Sequence, residues 1–320
     1  MYFNLRDMNA LECFVVFDAT DRSLALIRGP PENSWPPTPL PVRRDVGYEL
    51  LFMARRLVHS PPGEAWNPEH EDVLYVWTPP PPPATRECDD DGWWREHGLR
   101  LPDAAGAYIF VEAVFTFQGK AFFVDLDKGL LYCDLPLPGA GDDDDAVSSV
   151  VRFDFTPLPP EIPPEARWAS NLPEDMGPMN IDRAARCCAG NVVRFVCIHR
   201  PGGTYGPEAE ANVSVWTLHD DDDDDDDAAS TSSNKKKKVW SKDGEFRAED
   251  VWKRCEYKCR WLPPTAPKCP AVMPDGTVCL RLPNLRRQRT DPVEDYVCCL
   301  DVRGGMVKFG WSARLDEELR

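Results

Sequence analysis

A repeated pattern of apolar strand, aspartate, tight turn and second strand is the feature of this sequence that most restricts its fold. The pattern occurs in the segments 14–27, 122–133 and 297–309. An aspartate suits such a turn because its side chain can accept a hydrogen bond from the backbone two residues further on. The pattern therefore predicts a series of β-hairpins.

Two further segments carry Trp-Thr where the other copies carry aspartate. Leu74–Thr78 precedes a poly-proline stretch and a Trp-Trp pair, and Val213–Thr217 precedes a charged insertion and Val239. The aspartate or Trp-Thr of each copy lies near position 18, 78, 125, 218 or 301. These spacings fit a unit of about 45 residues, which is the length of a four-stranded propeller blade. The sequence thus predicts an all-β, propeller-like fold of about six to seven blades, with the completeness of the first blade left open.

Short runs of Val, Phe, Leu and Tyr between Gly, Pro or Asp residues locate the strands. Examples are 13–17, 73–77, 109–117, 121–126, 192–199, 213–218, 277–282, 296–302 and 306–311. Gly-containing turns at 118–120, 189–191 and 274–276 open three of them. Helical patterns are scarce, and the best short helix is predicted around Ala248–Arg254.

The domain organisation follows from where the low-complexity sequence lies. We expect residues 1–320 to form a single propeller-like domain. The tracts 79–92, 139–147 and 220–238 are then loop insertions between strands, as repeat architectures allow.

The charge of the chain argues against two classes of partner. The formal net charge is −17, and twelve aspartates lie in the runs 142–145 and 220–227. A negative field repels phosphate backbones and anionic lipid surfaces, so we expect neither nucleic acid nor membrane as a partner. The sequence also lacks an apolar run of the roughly 18–20 residues that span a bilayer.

The cysteines and the first residues of the chain indicate the cellular compartment in which the protein is expected. Several of the twelve cysteines lie inside predicted strands, where a free thiol behaves as a small hydrophobe. The segment Met1–Asp7 has no basic region followed by an apolar one. We therefore expect a reduced compartment, the cytoplasm and/or the nucleus.

One segment resembles a known family. Phe115–Asp134 looks like the core signature of the plant family called domain of unknown function 1618, which is expanded in grasses. Weaker matches follow in order at 155–160, 191–196, 213–218, 252, 262–264 and 296–302. The resemblance covers residues 105–320 best. It supplies no catalytic residues, because the family has no established activity.

Candidate sites for chemistry are weak. Cys255, Cys259, Cys269 and Cys279 could make a four-thiolate zinc site, but their spacing lacks the usual close pairs, so ordinary thiols are the favoured interpretation. The five histidines are scattered, and no nucleophile elbow, phosphate loop or dinucleotide motif is present. We predict no catalytic, cofactor-binding or metal-binding residues.

The charged insertion is the most conspicuous feature outside the strands. Asp220–Asp227 is followed by Lys235–Lys238. One interpretation is a docking loop, with Asp220, Asp227, Lys235 and Lys238 as its ends. The other, which we favour, is a solvated hairpin tip, because adjacent carboxylates repel one another and cannot pack.

The missing chemistry and the family resemblance together lead to an expectation about function. We expect a non-catalytic, monomeric module that binds an unknown protein partner in plant regulatory or stress pathways. The alternative is an enzyme or small-ligand binder that uses a central propeller pocket.

Overall fold

A computed structural model describes most of the chain between residues 2 and 310. The described residues are 2–6, 12–18, 22–29, 39–44, 47–58, 69–79, 94–106, 109–137, 150–162, 182–189, 191–200, 210–220, 238–250, 267–282, 296–302 and 306–310. These residues are mostly β-strand, which confirms the all-β prediction. The chain divides into two compact units, one of residues 1–102 with 133–154 and one of residues 103–132 with 155–320.

Unit 1 contains two sheets. The first has the order β1 (Tyr2–Arg6), β2 (Glu12–Asp18) and β3 (Ser23–Arg28). The second has the order β11 (Val150–Arg152), β7 (Trp94–Arg100), β6 (Glu69–Trp77), β5 (Tyr48–Val58) and β4 (Leu40–Arg43). All these pairs are antiparallel except β11 with β7, which is parallel.

The core of unit 1 is aromatic. The Phe14 and Phe52 rings lie 4.9 Å apart, and the Phe52 and Trp94 rings meet edge to face at 5.0 Å. Val73 and Tyr75 of β6 belong to the same buried cluster. Burial of these side chains provides the main free energy that holds the two sheets together.

Unit 2 holds three four-stranded sheets, apart from Cys133, Asp134 and Asp154 at the ends of two strands, which fall in unit 1. Sheet C has the order β12 (Asp154–Pro157), β10 (Gly129–Asp134), β9 (Lys120–Asp125) and β8 (Ala113–Phe117). Sheet D has the order β13 (Arg183–Cys188), β14 (Val192–His199), β15 (Asn212–Asp220) and β16 (Lys238–Arg247). Sheet E has the order β17 (Lys268–Val272), β18 (Val278–Leu282), β19 (Tyr296–Asp301) and β20 (Met306–Gly310).

Two buried clusters join the sheets of unit 2. Phe122 and Leu130 of sheet C share one cluster with Phe195 of sheet D. Val213 of sheet D and Leu280 of sheet E share another. Strands β14 and β15 are buried along nearly their whole length, because a sheet covered on both faces has no polar side.

The predicted hairpins are confirmed. Strands β2/β3, β9/β10 and β19/β20 are neighbours, as the aspartate pattern predicted. The Trp-Thr segments also pair as predicted, with Trp77 opposite Trp94 and Leu218 opposite Trp240.

Asp125 shows why aspartate recurs in the pattern. Its carboxylate is 1% exposed and accepts hydrogen bonds from the backbone N–H of Asp127 at 2.9 Å and of Lys128 at 3.2 Å. The other oxygen accepts from Phe110 N–H at 2.9 Å. The buried Arg183 then donates to the Leu126 carbonyl at 2.8 Å. The most family-like segment of the sequence is therefore a structural turn.

The strand predictions erred in one boundary and in several missed strands, among them β1, β4, β5, β13 and β17. The strand predicted at 109–117 begins at Ala113, because Phe110 N–H is taken by the Asp125 carboxylate instead of a neighbouring strand. The strand β5 (Tyr48–Val58) was not predicted at all. Its central run from Leu50 to Ala54 is buried on both faces, so it lacks the alternation by which strands are recognised.

The insertions and the predicted helix are described only at their edges. Residues 248–250 form a helical turn, and the rest of the helix predicted at 248–254 lies outside the described residues. Tract 139–147 also lies outside them, while 79–92 and 220–238 are described only at Pro79, Asp220 and Lys238. In the described part of the chain, no helix has the length and apolar character needed to cross a bilayer.

Candidate binding pocket at the hairpin ends of sheets C and D

A small pocket lies within unit 2, where hairpin ends of sheets C and D come together. Its volume is about 230 Å³. Its lining combines apolar and polar side chains, namely Phe117, Gln118, Asn191, Val192, Leu218, His219, Asp220 and Lys238.

Two tight turns supply the amide side chains of the pocket. Gln118 and Gly119 connect β8 to β9 with φ values of 48° and 70°, the backbone of a two-residue type I′ hairpin. Asn191 opens β14 with a φ of 58°, a conformation that asparagine adopts more readily than most residues. Both side chains are exposed, so both amides are open to a ligand.

An ion pair closes the base of the charged insertion. Lys238 and Asp220 face each other in the β15/β16 register, and Lys238 Nζ lies 2.6 Å from Asp220 Oδ1. The Lys238 ammonium also lies 5.7 Å from the centre of the Phe117 ring and 5.8 Å from that of Tyr132. An ammonium over aromatic faces is held by their quadrupoles.

The pocket consequently presents acceptors more than donors. The Lys238 side chain is 5% exposed, whereas that of Asp220 is 31% exposed. The positive charge is covered by the rings and the carboxylate, and the carboxylate remains open to solvent. Together with two amide oxygens, this arrangement suits a ligand rich in N–H donors.

The structure places only part of the predicted docking loop. Asp220 ends β15 and Lys238 begins β16, so these two residues belong to the folded sheet. Asp227 and Lys235 lie outside the described residues. The loop as a docking element stays a prediction.

Sequence reasoning missed Gln118, Asn191 and His219 as neighbours. The sequence did show that the turns 118–120 and 189–191 occupy equivalent places in the repeat. This equivalence was the signal from which their proximity could have been predicted. Equivalent hairpin turns of adjacent sheets come to the same edge, so their side chains can line one pocket.

The structure describes only two of the four cysteines in the zinc hypothesis. Cys255 and Cys259 lie outside the described residues, while Cys269 and Cys279 lie in or beside β17 and β18. Among the residues that are described, no group of three or more His, Cys, Asp or Glu side chains is arranged to hold a metal ion.

Comparison with known proteins identifies a family. Residues 123–279, which run from β9 to β18, match the family described as protein of unknown function (DUF1618). No curated protein matches the chain. The matched region contains the Asp125 turn, Asn191 and the Asp220–Lys238 pair, and it agrees with the resemblance found in Phe115–Asp134. Residues 123–279, just under half of the chain, therefore belong to the DUF1618 family.

Proposed function

We propose that this chain is a non-catalytic protein-interaction module whose pocket at the hairpin ends receives one cationic side chain of a partner protein. The observation that carries the proposal is the pocket lined by Gln118, Asn191 and Asp220. Its volume of about 230 Å³ lies below the roughly 300–1,000 Å³ typical of sites for whole small ligands. A single side chain fits that size.

The charge around the pocket supports a cationic guest. Within 221–237, which joins Asp220 to Lys238, there are seven aspartates and three lysines, a net charge of −4 (three minus seven). This segment is covalently attached at the pocket, so it raises the local concentration of cations. Among cationic side chains, arginine offers the most N–H donors to the carboxylate and the amide oxygens.

The propeller arrangement is part of the same proposal. Sheets D and E are each built from four consecutive strands, as propeller blades are. In that arrangement the binding surface is the face that carries the hairpin ends. The plant regulatory or stress setting is proposed on the family resemblance.

Peptide binding tests the proposal. The probe is a fluorescent peptide of arginines separated by Gly-Ser, and the matched peptide carries citrulline, which keeps the shape of arginine without its charge. Fluorescence anisotropy with the full chain is expected to show tighter binding of the arginine peptide, and more so at low salt. Equal affinity for the two peptides would overturn the proposal.

Two substitutions in the pocket are expected to change the affinity for the arginine peptide in opposite directions. Asp220→Asn removes the open carboxylate and is expected to weaken arginine-peptide binding by about fivefold, the value of one partly exposed charge contact. Lys238→Met removes the competing cation and is expected to strengthen binding. Glu161→Gln neutralises a carboxylate that is 58% exposed and outside the pocket, and it serves as the matched control.

The amides are tested without disturbing the turns. Gln118→Gly and Asn191→Gly both tolerate positive φ, so the double variant loses the amides but keeps the backbone. We expect it to bind the arginine peptide more weakly and to unfold at nearly the wild-type denaturant concentration. Unchanged binding would exclude the amides from recognition.

A further inference from the structure

Two cysteines of sheet E face each other directly. Cys279 of β18 is the register partner of Cys299 of β19, and their Sγ atoms lie 2.7 Å apart. Both residues are half-buried. Their strand neighbours Leu280 and Cys298 are fully buried on the opposite face, in the core that sheet E shares with sheet D.

This arrangement differs from that of the other described cysteines. Cys187 and Cys188 are adjacent in β13, so their side chains point to opposite faces. Cys298 is in the core, with 0% exposure. Cys279 and Cys299 combine direct opposition, a shared face and partial exposure, which are the conditions for bond formation by an external reagent.

We propose that Cys279 and Cys299 are a redox modification site that forms a reversible cross-strand disulfide with a low-molecular-weight disulfide, such as oxidised glutathione, as the oxidant. One thiolate attacks a sulfur of the oxidant, which forms a mixed disulfide and releases one glutathione thiolate. The second thiol loses its proton and attacks the mixed disulfide, which forms the Cys279–Cys299 bond and releases the second glutathione. Two electrons and two protons pass from the protein to two glutathione molecules.

The order of attack follows from the surroundings of the pair. Burial, followed by the hydrogen bond and charge of Cys299, raises the pKa of Cys279 to about 12. Cys279 therefore keeps its proton at neutral pH and is poorly suited to begin the exchange.

The partial exposure of the pair also predicts that the bond is easily reduced. An external thiolate can reach a half-buried disulfide, and exposed disulfides are among the labile ones. The site suits a compartment that is normally reducing and becomes oxidising transiently.

Mass spectrometry of the full chain tests the inference independently of the binding pocket. The protein is equilibrated with oxidised and reduced glutathione at a series of ratios, alkylated and digested with trypsin. We expect peptide 269–281 to be joined to peptide 290–303 as the oxidised fraction rises, and to be released by reduced glutathione.

Variants assign the cross-link to one pair. Peptide 269–281 also contains Cys269, and peptide 290–303 also contains Cys298. Cys279→Ser and Cys299→Ser are expected to abolish the link, whereas Cys269→Ala and Cys298→Ala are expected to keep it. A link that survives Cys299→Ser, or full alkylation of both thiols at every ratio, would overturn the inference. Fragmentation of the wild-type cross-link locates the bonded sulfurs even where a variant fails to fold.

Discussion

At the scale of single residues, unit 2 depends on a few buried polar groups that find their hydrogen-bond partners within the same unit. The Asp125 carboxylate accepts three backbone N–H groups, and the Arg200 guanidinium joins Asp182 at 2.6 Å and the Pro267 carbonyl at 2.7 Å. Disrupting such groups destabilises the fold, because a buried donor or acceptor without its partner has given up its hydrogen bonds to water and made none in the protein.

Asp125→Ala should destabilise the protein by about 3 kcal/mol or more, because it removes the acceptor of three backbone donors. Asp125→Asn keeps one oxygen acceptor and should cost roughly half as much. Urea unfolding measures both. The exposed Asp250→Ala is the control, and an effect of Asp125→Ala no larger than that control would contradict the structural role of the turn.

The Cys279 thiol predicts a loss of stability in alkali. Burial and the neighbouring Cys299 raise its pKa from the ordinary value of 9.0 to about 12. The folded chain therefore keeps a proton that the unfolded chain releases above about pH 9, so its contribution to stability is complete below that pH and is lost as the pH rises toward 12.

Urea midpoints between pH 8 and pH 10.5 measure this slope under reducing conditions. Cys279→Ala should flatten it, since the titrating group is gone. Cys299→Ala should reduce it in part, because burial of Cys279 remains while the hydrogen bond and charge are removed. A slope identical in all three proteins would assign the alkaline loss to other groups.

At the scale of elements, the hairpin turns fix where each strand begins. Gly129 opens β10 with a φ of 154°, and a Cβ there would overlap the Thr156 carbonyl oxygen and lie 2.8 Å from the Phe155 ring. Strand β12 can therefore approach β10 closely only beside a glycine.

Gly129→Ala should cost about 2–4 kcal/mol, from the overlap with β12 and the strained φ. Gly119→Ala is the matched control, because its φ is also positive at 70° while a Cβ there meets nothing within 4 Å. That variant should cost about 1 kcal/mol. Thermal and urea unfolding distinguish them, and equal losses would mean that close packing at Gly129 contributes nothing.

The hairpins were predictable from sequence because their turn chemistry is local. An aspartate that accepts a hydrogen bond from the backbone two residues further on, or a glycine at positive φ, lies within a few positions of the end of the strand. The residues that specify the turn can therefore be recognised in the sequence. Strand β5 was not predictable in this way, since its run from Leu50 to Ala54 is apolar throughout and carries no period. The late start of β8 depends on the Asp125 carboxylate 15 residues away from Phe110.

The candidate pocket was predictable only in fragments. The sequence showed the turns at Gln118 and Asn191 and the charged run that begins at Asp220. Their meeting depends on how sheets C and D pack through Phe122 and Phe195, a contact between residues far apart in sequence. The burial of Lys238 was not foreseen, because four adjacent lysines give no sign that the last one is a strand residue.

At the scale of the whole molecule, the charged insertion is separable from the fold. A chain in which 221–237 is replaced by a short Gly-Ser turn keeps the Asp220–Lys238 pair at 2.6 Å as the last rung of β15 and β16. We expect its free energy of unfolding to stay within about 1 kcal/mol of wild type, since loop length changes closure entropy slowly.

The same replacement should weaken binding of the arginine peptide and lower its salt dependence, because it removes a net charge of −4 from the edge of the pocket. Replacing 220–238 in full is the comparison, since it also removes the ion pair. If both replacements unfold the protein equally, the insertion is part of the folded unit.

The strand β11 has a consequence for how the molecule can be divided. It reaches the sheet of unit 1 beside β7 only after β8, β9 and β10 have been made, so unit 1 occupies two separate stretches of the chain. A fragment that stops at residue 102 would leave β7 as an open sheet edge, a template for aggregation. On the ribosome, too, the first unit waits for part of the second, and no single cut in the gene yields both units whole.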